Sequence, residues 1–200
     1  MKALVTGANG FTGSHLVKAL ELRGDQVVGL VRKSSNLSRL ANSQVQLVYG
    51  DITDRNALRD AMTGVDTVFH TAAYVELGLV NAAEMERVNV EGTRAVLEVA
   101  KSGVSKVVYC STVGIYGDTG GKVINETFKR TQTDFSSAYD HTKYQAQQIV
   151  DQFAPQLPVV SVMPSGIFGA DDPHFAPVMQ AFIKGRLKLW AGGEDRKSVV

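Results

Sequence analysis

The sequence predicts an α/β fold in which a doubly wound parallel sheet is followed by only the start of a small C-terminal lobe. Short apolar runs alternate with segments of helical periodicity along most of the 200 residues. Strands that alternate with helices are joined by right-handed crossovers, and the helices then cover both faces of a parallel sheet. A glycine-rich turn also separates the first strand from the first helix. These observations predict one domain over residues 1–163 and a partial second region over residues 164–200.

The predicted elements follow from the periodicity of apolar residues and from the residues that end each run. The six predicted strands are Ala3–Val5, Gln26–Val31, Val45–Tyr49, Thr67–His70, Lys106–Ser111 and Val159–Met163. The five predicted helices are Ser14–Leu22, Asp54–Met62 with Asp54 as its cap, Asn81–Ala100, Ser136–Phe153 and Ala176–Lys184. The segment 34–42 is predicted as a short helix or loop. The polar segment 112–134 is predicted as a long loop, and such loops are often functional.

Three evenly spaced glycines, Gly7, Gly10 and Gly13, stand between the first strand and the first helix. A sharp turn from strand to helix needs a residue that tolerates a positive φ, which glycine does at little cost. A second glycine lets the backbone approach a pyrophosphate, and a third lets the helix pack close to the strand. The helix N-terminus offers free N–H groups and partial positive charge to phosphates. The sequence therefore predicts a dinucleotide-binding Rossmann domain.

The bulk composition is that of an ordinary globular protein, with 44% hydrophobic and 20% charged residues. A net charge of +1 gives no excess of positive charge that would indicate binding to nucleic acid or an anionic membrane. No apolar run approaches the length of a membrane span, and the first residues are predicted as a strand rather than a signal peptide. The single cysteine, Cys110, excludes an internal disulfide and fits a reducing compartment. We therefore expect a cytoplasmic protein without nucleic-acid or membrane partners.

The end of the second strand indicates which dinucleotide is bound. An NAD site usually has an acidic residue there for the ribose 2′-hydroxyl, but this sequence has Arg32 and Lys33. A guanidinium can hold a 2′-phosphate through paired charge-assisted hydrogen bonds. The pattern favours NADP over NAD, although a solvated basic pair at a strand end is the plainer alternative. Asp51, after the third strand, is either an acceptor for the adenine amino group or a turn aspartate.

Tyr139 and Lys143 are four residues apart in a predicted helix and therefore lie on one face of it. Ser111 and Thr112 end the fifth strand, at the sheet edge where ligands bind in open α/β folds. An adjacent ammonium is expected to lower the pKa of a tyrosine from its ordinary value near 10. The Thr112 hydroxyl can hydrogen-bond a substrate oxygen. Together these groups can protonate a carbonyl as hydride arrives, or deprotonate an alcohol as hydride leaves.

The sequence resembles the extended short-chain dehydrogenase/reductases of the NAD-dependent epimerase/dehydratase group. The segments that carry the resemblance run through nearly the whole chain in the family's order. They are Thr6–Gly13, Gly50–Asp54, Val68–Ala73, Asn89–Thr93, Ser111–Gly117, Tyr139–Lys143 and Pro164–Gly169.

The resemblance implies a role for each matched residue. Tyr139 is then the acid-base residue, Lys143 holds the nicotinamide ribose, and Thr112 is the hydroxyl partner, with Ser111 as the alternative. The implied cofactor-binding residues are Gly7, Asn9, Gly10, Phe11, Gly13, Arg32, Lys33, Asp51, Ile52, Ala72, Ala73, Asn89, Ser111, Tyr139, Lys143 and Pro164. His70 is expected to be a packing residue, and Cys110 to be buried and inert. The histidines, His15, His70, His141 and His174, show no spacing typical of a metal site.

Departures from the family pattern bear on the subgroup. Leu30–Arg32 and Phe69–Ala73 resemble dihydroflavonol-reductase-type enzymes, whereas Ile115–Gly117 resembles the nucleotide-sugar epimerases and dehydratases. Val113 and Gly114 stand where such dehydratases carry an acidic pair, which argues against dehydration. Family members usually exceed 300 residues, so the substrate lobe is expected to be largely absent. The run at residues 198–200 is predicted to begin another strand.

The leading hypothesis is an NADP-dependent oxidoreductase that acts on the carbonyl or alcohol of a small organic substrate. A nucleotide-sugar epimerase with tightly held NAD(P) is the alternative within the family. A nonenzymatic NADP-binding sensor is an alternative of another class, although such proteins commonly lose the tyrosine or the lysine. The resemblance also implies a homodimer.

Overall fold

The structure, a computed structural model, describes residues 1–75, 81–172 and 175–186. Six strands form one sheet in the order β3-β2-β1-β4-β5-β6, and every neighbouring pair is parallel. The strands are β1 Lys2–Thr6, β2 Gln26–Val31, β3 Gln46–Tyr49, β4 Thr67–His70, β5 Lys106–Cys110 and β6 Val159–Val162. The strand order reverses direction at β1, so a crevice opens between the carboxyl ends of β1 and β4. The α/β Rossmann fold is thereby confirmed.

The helices occupy the connections between strands. They are α1 Phe11–Leu22, α2 Arg55–Ala61, α3 Ala82–Glu86, α4 Gly92–Ala100, α5 Ala138–Phe153 and α6 Ala176–Ile183. Asp54 caps α2 as predicted, because its side chain accepts from the N–H groups of Asn56 and Ala57. Two 3₁₀ turns, Ser38–Leu40 and Val113–Tyr116, lie in the segments predicted as loop or short helix.

Two helices differ most from the sequence prediction, whereas the other boundaries shift by one or two residues. Helix α1 begins at Phe11 rather than Ser14, since the third glycine is already inside the helix and Gly10 is its extended N-cap residue. The helix predicted over 81–100 is interrupted by a π-helical turn, Arg87–Glu91, between α3 and α4. Such turns insert one residue into a helix and often occur at functional sites.

The core has two layers, because successive side chains of a strand point to opposite faces of the sheet. On one face, Leu4 and Val68 pack with the buried residues of α2, α4 and α5. On the other face, Ala3 and Val5 pack against Val17 of α1. The prediction that helices cover both faces is only partly met within the described residues. Val160 and Val162 of β6, on the α1 side, are 49% and 43% exposed.

The region after β6 is less buried than the domain before it. Helix α6 contains no buried residue within the described part of the chain. Among the described residues, no helix is long and apolar enough to cross a membrane. The predictions for His174 and for a strand at 198–200 fall outside the described residues.

Candidate active site

The glycine turn has the shape that a dinucleotide requires. Gly7 has a φ of +69°, and a Cβ at this position would lie 2.9 Å from Cα of Ala72. A Cβ on Gly13 would overlap the carbonyl oxygen of Gly7, so α1 packs directly on the turn. The Gly10 amide donates to the Gly7 carbonyl at 2.9 Å and closes the turn. Helix α1 has no side-chain cap, so its first N–H groups remain free for an anion.

Asn9 and Phe11 join this turn to two neighbouring loops. Asn9 Nδ2 donates to the Asn36 carbonyl at 3.4 Å, in the loop after β2. The Phe11 ring meets the His15 ring edge to face at a centroid distance of 5.1 Å. His15 Nε2 in turn lies 3.0 Å from the Ala170 carbonyl, in the loop after β6. The predicted residues of the turn therefore lie together at the mouth of the crevice.

Arg32 and Lys33 are both exposed at the carboxyl end of β2. Arg32 forms no ion pair with any described residue, which leaves its guanidinium available to an anionic ligand. A cavity of about 590 Å³ opens beside the loop that follows these two residues, lined by Asn36, Ser38 and Arg39 on one side and α6 on the other. Arg39 was not singled out from the sequence, because it lies in a polar segment without a recognisable pattern.

Asp51 has a structural role that the sequence did not reveal. Its carboxylate accepts from Arg87 Nη1 at 2.8 Å and Nη2 at 3.1 Å, and from the Thr53 amide and hydroxyl. Arg87 also donates to Glu84, so one guanidinium joins the end of β3 to α3. The guanidinium of Arg87 lowers the pKa of Asp51 well below its usual range. Asp51 is thus engaged within the protein, and its contact with adenine stays a prediction.

Ile52, Ala72 and Ala73 were predicted to line the cofactor. The Ile52 side chain is buried and packs against Gly92 of α4, so only its backbone faces the end of β3. Ala72 and Ala73 are half-buried in the segment after β4, and the Ala72 amide donates to Thr6 Oγ1 at 3.3 Å. Ala72 lies directly against Gly7, as its predicted backbone role requires.

Asn89 lies within the π-helical turn and is buried. Its Oδ1 accepts from the Tyr74 amide at 2.7 Å, and its Nδ2 donates to the Tyr74 carbonyl at 3.1 Å. The same Nδ2 also donates to Thr142 Oγ1 at 3.0 Å. Both amide hydrogens are therefore used within the protein. The side chain ties the segment after β4 to α5, one residue from Lys143.

Ser111, Thr112 and Pro164 meet at the carboxyl end of β5. The Val113 amide donates to the Pro164 carbonyl at 3.2 Å, which brings the loop after β6 beside Thr112. Thr112 Oγ1 accepts from the Gly114 amide, so its hydroxyl hydrogen stays free to donate. Ser111 Oγ is buried and has no hydrogen-bond partner among the described residues. A buried hydroxyl without a partner is uncommon and fits a polar ligand at this position.

Tyr139 and Lys143 lie one turn apart at the start of α5, as predicted. Gly114 lies between Thr112 Oγ1 and the Asp140 carboxylate, so this end of α5 packs on the turn that follows Thr112. Tyr139 is half-buried, whereas the Lys143 side chain is fully buried. Lys143 Nζ donates to Tyr109 Oη at 2.7 Å and to the Cys110 carbonyl at 2.8 Å.

The pKa of Tyr139 differs from the value expected from the sequence. Burial raises the pKa of Tyr139 to about 12, so the prediction that Lys143 lowers it is wrong. The reason is that the ammonium is directed to Tyr109 and Cys110 rather than to Tyr139. Burial also lowers the pKa of Lys143 to about 8, and burial raises the pKa of the half-buried Cys110 thiol.

His70 is a buried, neutral residue, in keeping with its predicted packing role. Its Nδ1 lies 2.8 Å from Thr6 Oγ1 and its Nε2 lies 3.0 Å from Thr93 Oγ1. Burial, with a smaller contribution from the Lys143 charge, lowers the pKa of His70 to about 3. Across residues 1–75, 81–172 and 175–186, no three His, Cys, Asp or Glu side chains are grouped as metal ligands.

The glycine turn without room for a Cβ, the uncapped helix and the unpaired Ser111 hydroxyl together fit a nicotinamide dinucleotide. The turn and the N-terminus of α1 would hold its pyrophosphate, and the end of β5 with the start of α5 would hold its nicotinamide half. Two of the chemical groups needed for a proton transfer, Thr112 and Tyr139, stand at that same end.

Comparisons with known proteins agree with this geometry. Residues 3–199 match the model of the NAD dependent epimerase/dehydratase family. Sterol demethylase protein B from Methylococcus capsulatus is 34% identical over 200 residues, which covers 96% of this chain and 60% of that protein. The 4-hydroxy-2-methyl-3-oxo-4-farnesyl-3,4-dihydroquinoline-1-oxide ketoreductase of Stigmatella aurantiaca is 33% identical over 96% of this chain and 58% of its own length.

Comparison with a solved structure also agrees with the described geometry. The Thermus thermophilus UDP-glucose 4-epimerase in complex with NAD superimposes with a TM-score of 0.80 at 28% identity, over 92% of this chain and 63% of the epimerase. The chain therefore spans about three fifths of the length of these relatives. With its parallel six-stranded sheet, glycine turn and Tyr139–Lys143 pair, the chain belongs to the NAD-dependent epimerase/dehydratase family of extended short-chain dehydrogenases/reductases.

Proposed function

We propose that the protein is an NADP-dependent oxidoreductase that transfers hydride to or from the carbonyl or alcohol carbon of a small organic substrate. The observation that carries the proposal is the half-buried phenol of Tyr139, one helical turn from the buried ammonium of Lys143, at the end of β5. When bound, the dinucleotide supplies or accepts the hydride. The protein supplies orientation and the proton.

Tyr139 is the proton donor in the reductive direction. Because burial raises its pKa to about 12, the phenol is protonated at neutral pH and can give its proton to a carbonyl oxygen. The Thr112 hydroxyl, whose hydrogen is free, donates to the same oxygen and orients it. Lys143 has three N–H donors and uses two of them on Tyr109 and Cys110, so the third is available to a ribose hydroxyl.

The preference for NADP rests on Arg32. Its guanidinium is exposed at the end of β2, and no described acidic residue pairs with it. The adjacent Lys33 adds a second exposed positive charge at the end of β2. A 2′-phosphate would gain paired hydrogen bonds there, whereas NADH offers only a neutral hydroxyl.

The names of two relatives support an apolar substrate. One is a sterol demethylase component and the other is a ketoreductase of a farnesyl-substituted quinoline oxide. In the region after β6, Phe168 and Phe175 present exposed aromatic rings whose centroids are 5.8 Å apart. We propose a ketone or secondary alcohol on an apolar carbon skeleton as the substrate class.

Turnover and cofactor binding of variants test the proposal together. Tyr139→Phe should keep its NADPH affinity within about threefold while kcat on a ketone panel falls by about 10²-fold or more. Tyr144→Phe, a half-buried tyrosine of the same helix, is the matched control and should keep full turnover. Unchanged turnover in Tyr139→Phe would refute the role of Tyr139.

The cofactor preference has a separate test. Arg32→Ala should weaken NADPH binding about tenfold and leave NADH binding unchanged, as measured by fluorescence titration. Comparable affinities of the unaltered protein for NADPH and NADH would contradict the NADP assignment.

A nucleotide-sugar epimerase is the second candidate, because the chain superimposes on the Thermus UDP-glucose 4-epimerase and shares the Ile115–Gly117 pattern of such enzymes. An epimerase returns the hydride to the sugar, so it should retain its dinucleotide and consume none. A nonenzymatic sensor would bind NADPH and turn over no carbonyl compound. Cofactor consumption with a ketone distinguishes the proposed function from both.

A further inference from the structure

A buried chain of hydrogen bonds leads from Lys143 through residues to which no part of the proton transfer has been assigned. Lys143 Nζ donates to Tyr109 Oη at 2.7 Å, and Tyr109 is 1% exposed on β5. Thr93 of α4 interacts with the Tyr109 hydroxyl as well. Thr93 contacts His70 Nε2 at 3.0 Å, and His70 Nδ1 contacts Thr6 Oγ1 at 2.8 Å. The chain therefore extends from α5 to the strand that carries the glycine turn.

The donor of each bond can be assigned from the available hydrogens. An ammonium has only donors, so Tyr109 accepts from Lys143. Thr93 uses its single hydrogen on the Asn89 carbonyl at 2.7 Å, so it accepts from His70 Nε2. His70 then carries its proton on Nε2, and its Nδ1 accepts from Thr6.

The contact with Lys143 fixes the direction of the Tyr109 hydroxyl. If the hydroxyl turned its hydrogen toward Lys143, the buried ammonium would lose an acceptor, which is costly inside a protein. The lone pairs of Tyr109 therefore remain directed at Lys143. The second partner, the Cys110 carbonyl, belongs to the sheet backbone and is equally fixed.

We propose that Tyr109 is a positioning residue that holds the Lys143 ammonium in one orientation, with its third N–H left for the dinucleotide. The role of that N–H rests on the proposed function, whereas the contact between the two side chains does not. Tyr109 acts through Lys143 and touches no reacting atom.

The charges around Lys143 make Tyr109 important for its protonation as well. The titratable groups that face the ammonium are Tyr109 and Cys110 from β5 and His70 from β4. All three are neutral at pH 7, because burial raises the pKa values of the tyrosine and the thiol and lowers that of His70. Neutral acceptors alone therefore stabilise the charged lysine, whose pKa is about 8.

The Lys143 titration in the intact protein tests the proposal without any substrate. Protein labelled with ¹³C-lysine is titrated by NMR, and the Lys143 signal is assigned by its loss in Lys143→Met. Tyr109→Phe removes the acceptor and keeps the ring, so the Lys143 midpoint should fall by about one pH unit. NADPH affinity at pH 8 should fall with it, by about fivefold or more. Tyr144→Phe is the control and should leave the midpoint and the affinity unchanged.

A measurement on the unaltered protein keeps the proposal testable if Tyr109→Phe does not fold. The ¹³Cζ shift of Tyr109 should move with the same midpoint as Lys143, because the two groups share a hydrogen bond. A Tyr109 shift that stays flat through the lysine titration, or an unchanged Lys143 midpoint in a folded Tyr109→Phe, would overturn the positioning role. Failure to find a carbonyl substrate would refute the oxidoreductase proposal and leave these measurements intact.

Discussion

Asn89 Nδ2 donates to Thr142 Oγ1 at 3.0 Å and thereby joins the π-helical turn to the helix that carries Tyr139 and Lys143. Thr142 Oγ1 itself donates to the Tyr139 carbonyl at 3.0 Å. The other side-chain contacts of Asn89 are the amide and the carbonyl of Tyr74. One buried amide therefore sets both the segment after β4 and the first turn of α5.

Asn89→Ala should lower the free energy of unfolding by about 2–3 kcal/mol, because it leaves buried partners without hydrogen bonds. It should also weaken NADPH binding, since α5 loses one of its supports. Urea unfolding and cofactor titration measure the two effects. Asn42→Ala, at an exposed position, is the control and should change neither quantity. Equal stability of the two variants would contradict the prediction.

Gly13→Ala should impair both folding and cofactor binding, because its Cβ would overlap the Gly7 carbonyl oxygen. The backbone of the turn must shift to relieve this overlap, at a cost of about 1–3 kcal/mol. Thermal unfolding with and without NADPH measures the effect. Gly103→Ala has open space around its Cβ and provides the comparison. A Gly13→Ala protein with normal NADPH affinity would show that the turn does not bind the pyrophosphate as proposed.

The pair formed by Arg87 and Asp51 should give a stability contribution that depends on pH. Arg87 lowers the pKa of Asp51 below its ordinary value of 3.8, so the contribution is present above about pH 4 and is lost as the pH falls further. Both side chains are about one third exposed, which limits its size to about 0.5–1 kcal/mol. Arg87→Gln should therefore be less stable than the unaltered protein at pH 7, with a gap that narrows below pH 4.

Arg94→Gln is the control for Arg87→Gln. Arg94 contacts Glu91 at 3.5 Å on the exposed surface of the helix, without a network around it. It should show a smaller gap at pH 7. If the gap for Arg87→Gln stays constant from pH 7 to pH 3, Asp51 does not titrate as described.

His70 should make the protein less stable in mild acid. Its pKa is about 3 in the folded protein against 6.5 for the free side chain, so the unfolded state binds a proton between these values and the folded state does not. The free energy of unfolding should therefore fall by about 1.4 kcal/mol per pH unit below pH 6.5 from this group. Part of the acid sensitivity should disappear in His70→Asn but persist in the exposed-site control His141→Asn. Identical slopes in the two variants would disprove a buried neutral His70.

The elements that sequence reasoning predicted well are those encoded locally. Apolar runs of three to six residues identified all six strands to within one or two residues, because a buried parallel strand needs continuous apolar side chains. The glycine turn and the positions of Tyr139 and Lys143 on one helix were predicted for the same reason. Both are fixed by a few neighbouring residues.

The features that escaped prediction depend on partners far apart in sequence. Asp51 and Arg87 are 36 positions apart, and Tyr109 and Lys143 are 34 apart. Nothing in the local pattern shows which tyrosine receives a lysine, so the pKa of Tyr139 was predicted in the wrong direction. The π-helical turn was not predicted either, because no residue type within 87–91 marks an inserted residue.

The π-helical turn rotates the side chains of α4 about the helix axis relative to those of α3. An extra residue displaces every later side chain by about 100° around the axis. The direction of Arg87, which begins the turn and points toward Asp51, and the face of α4 that buries Ala95 and Leu97 are therefore set independently. Deleting one residue within 87–91 would restore a regular helix and turn the core-facing side of α4 toward solvent. The packing of α4 therefore depends on the number of residues in this segment as well as on Asn89 within it.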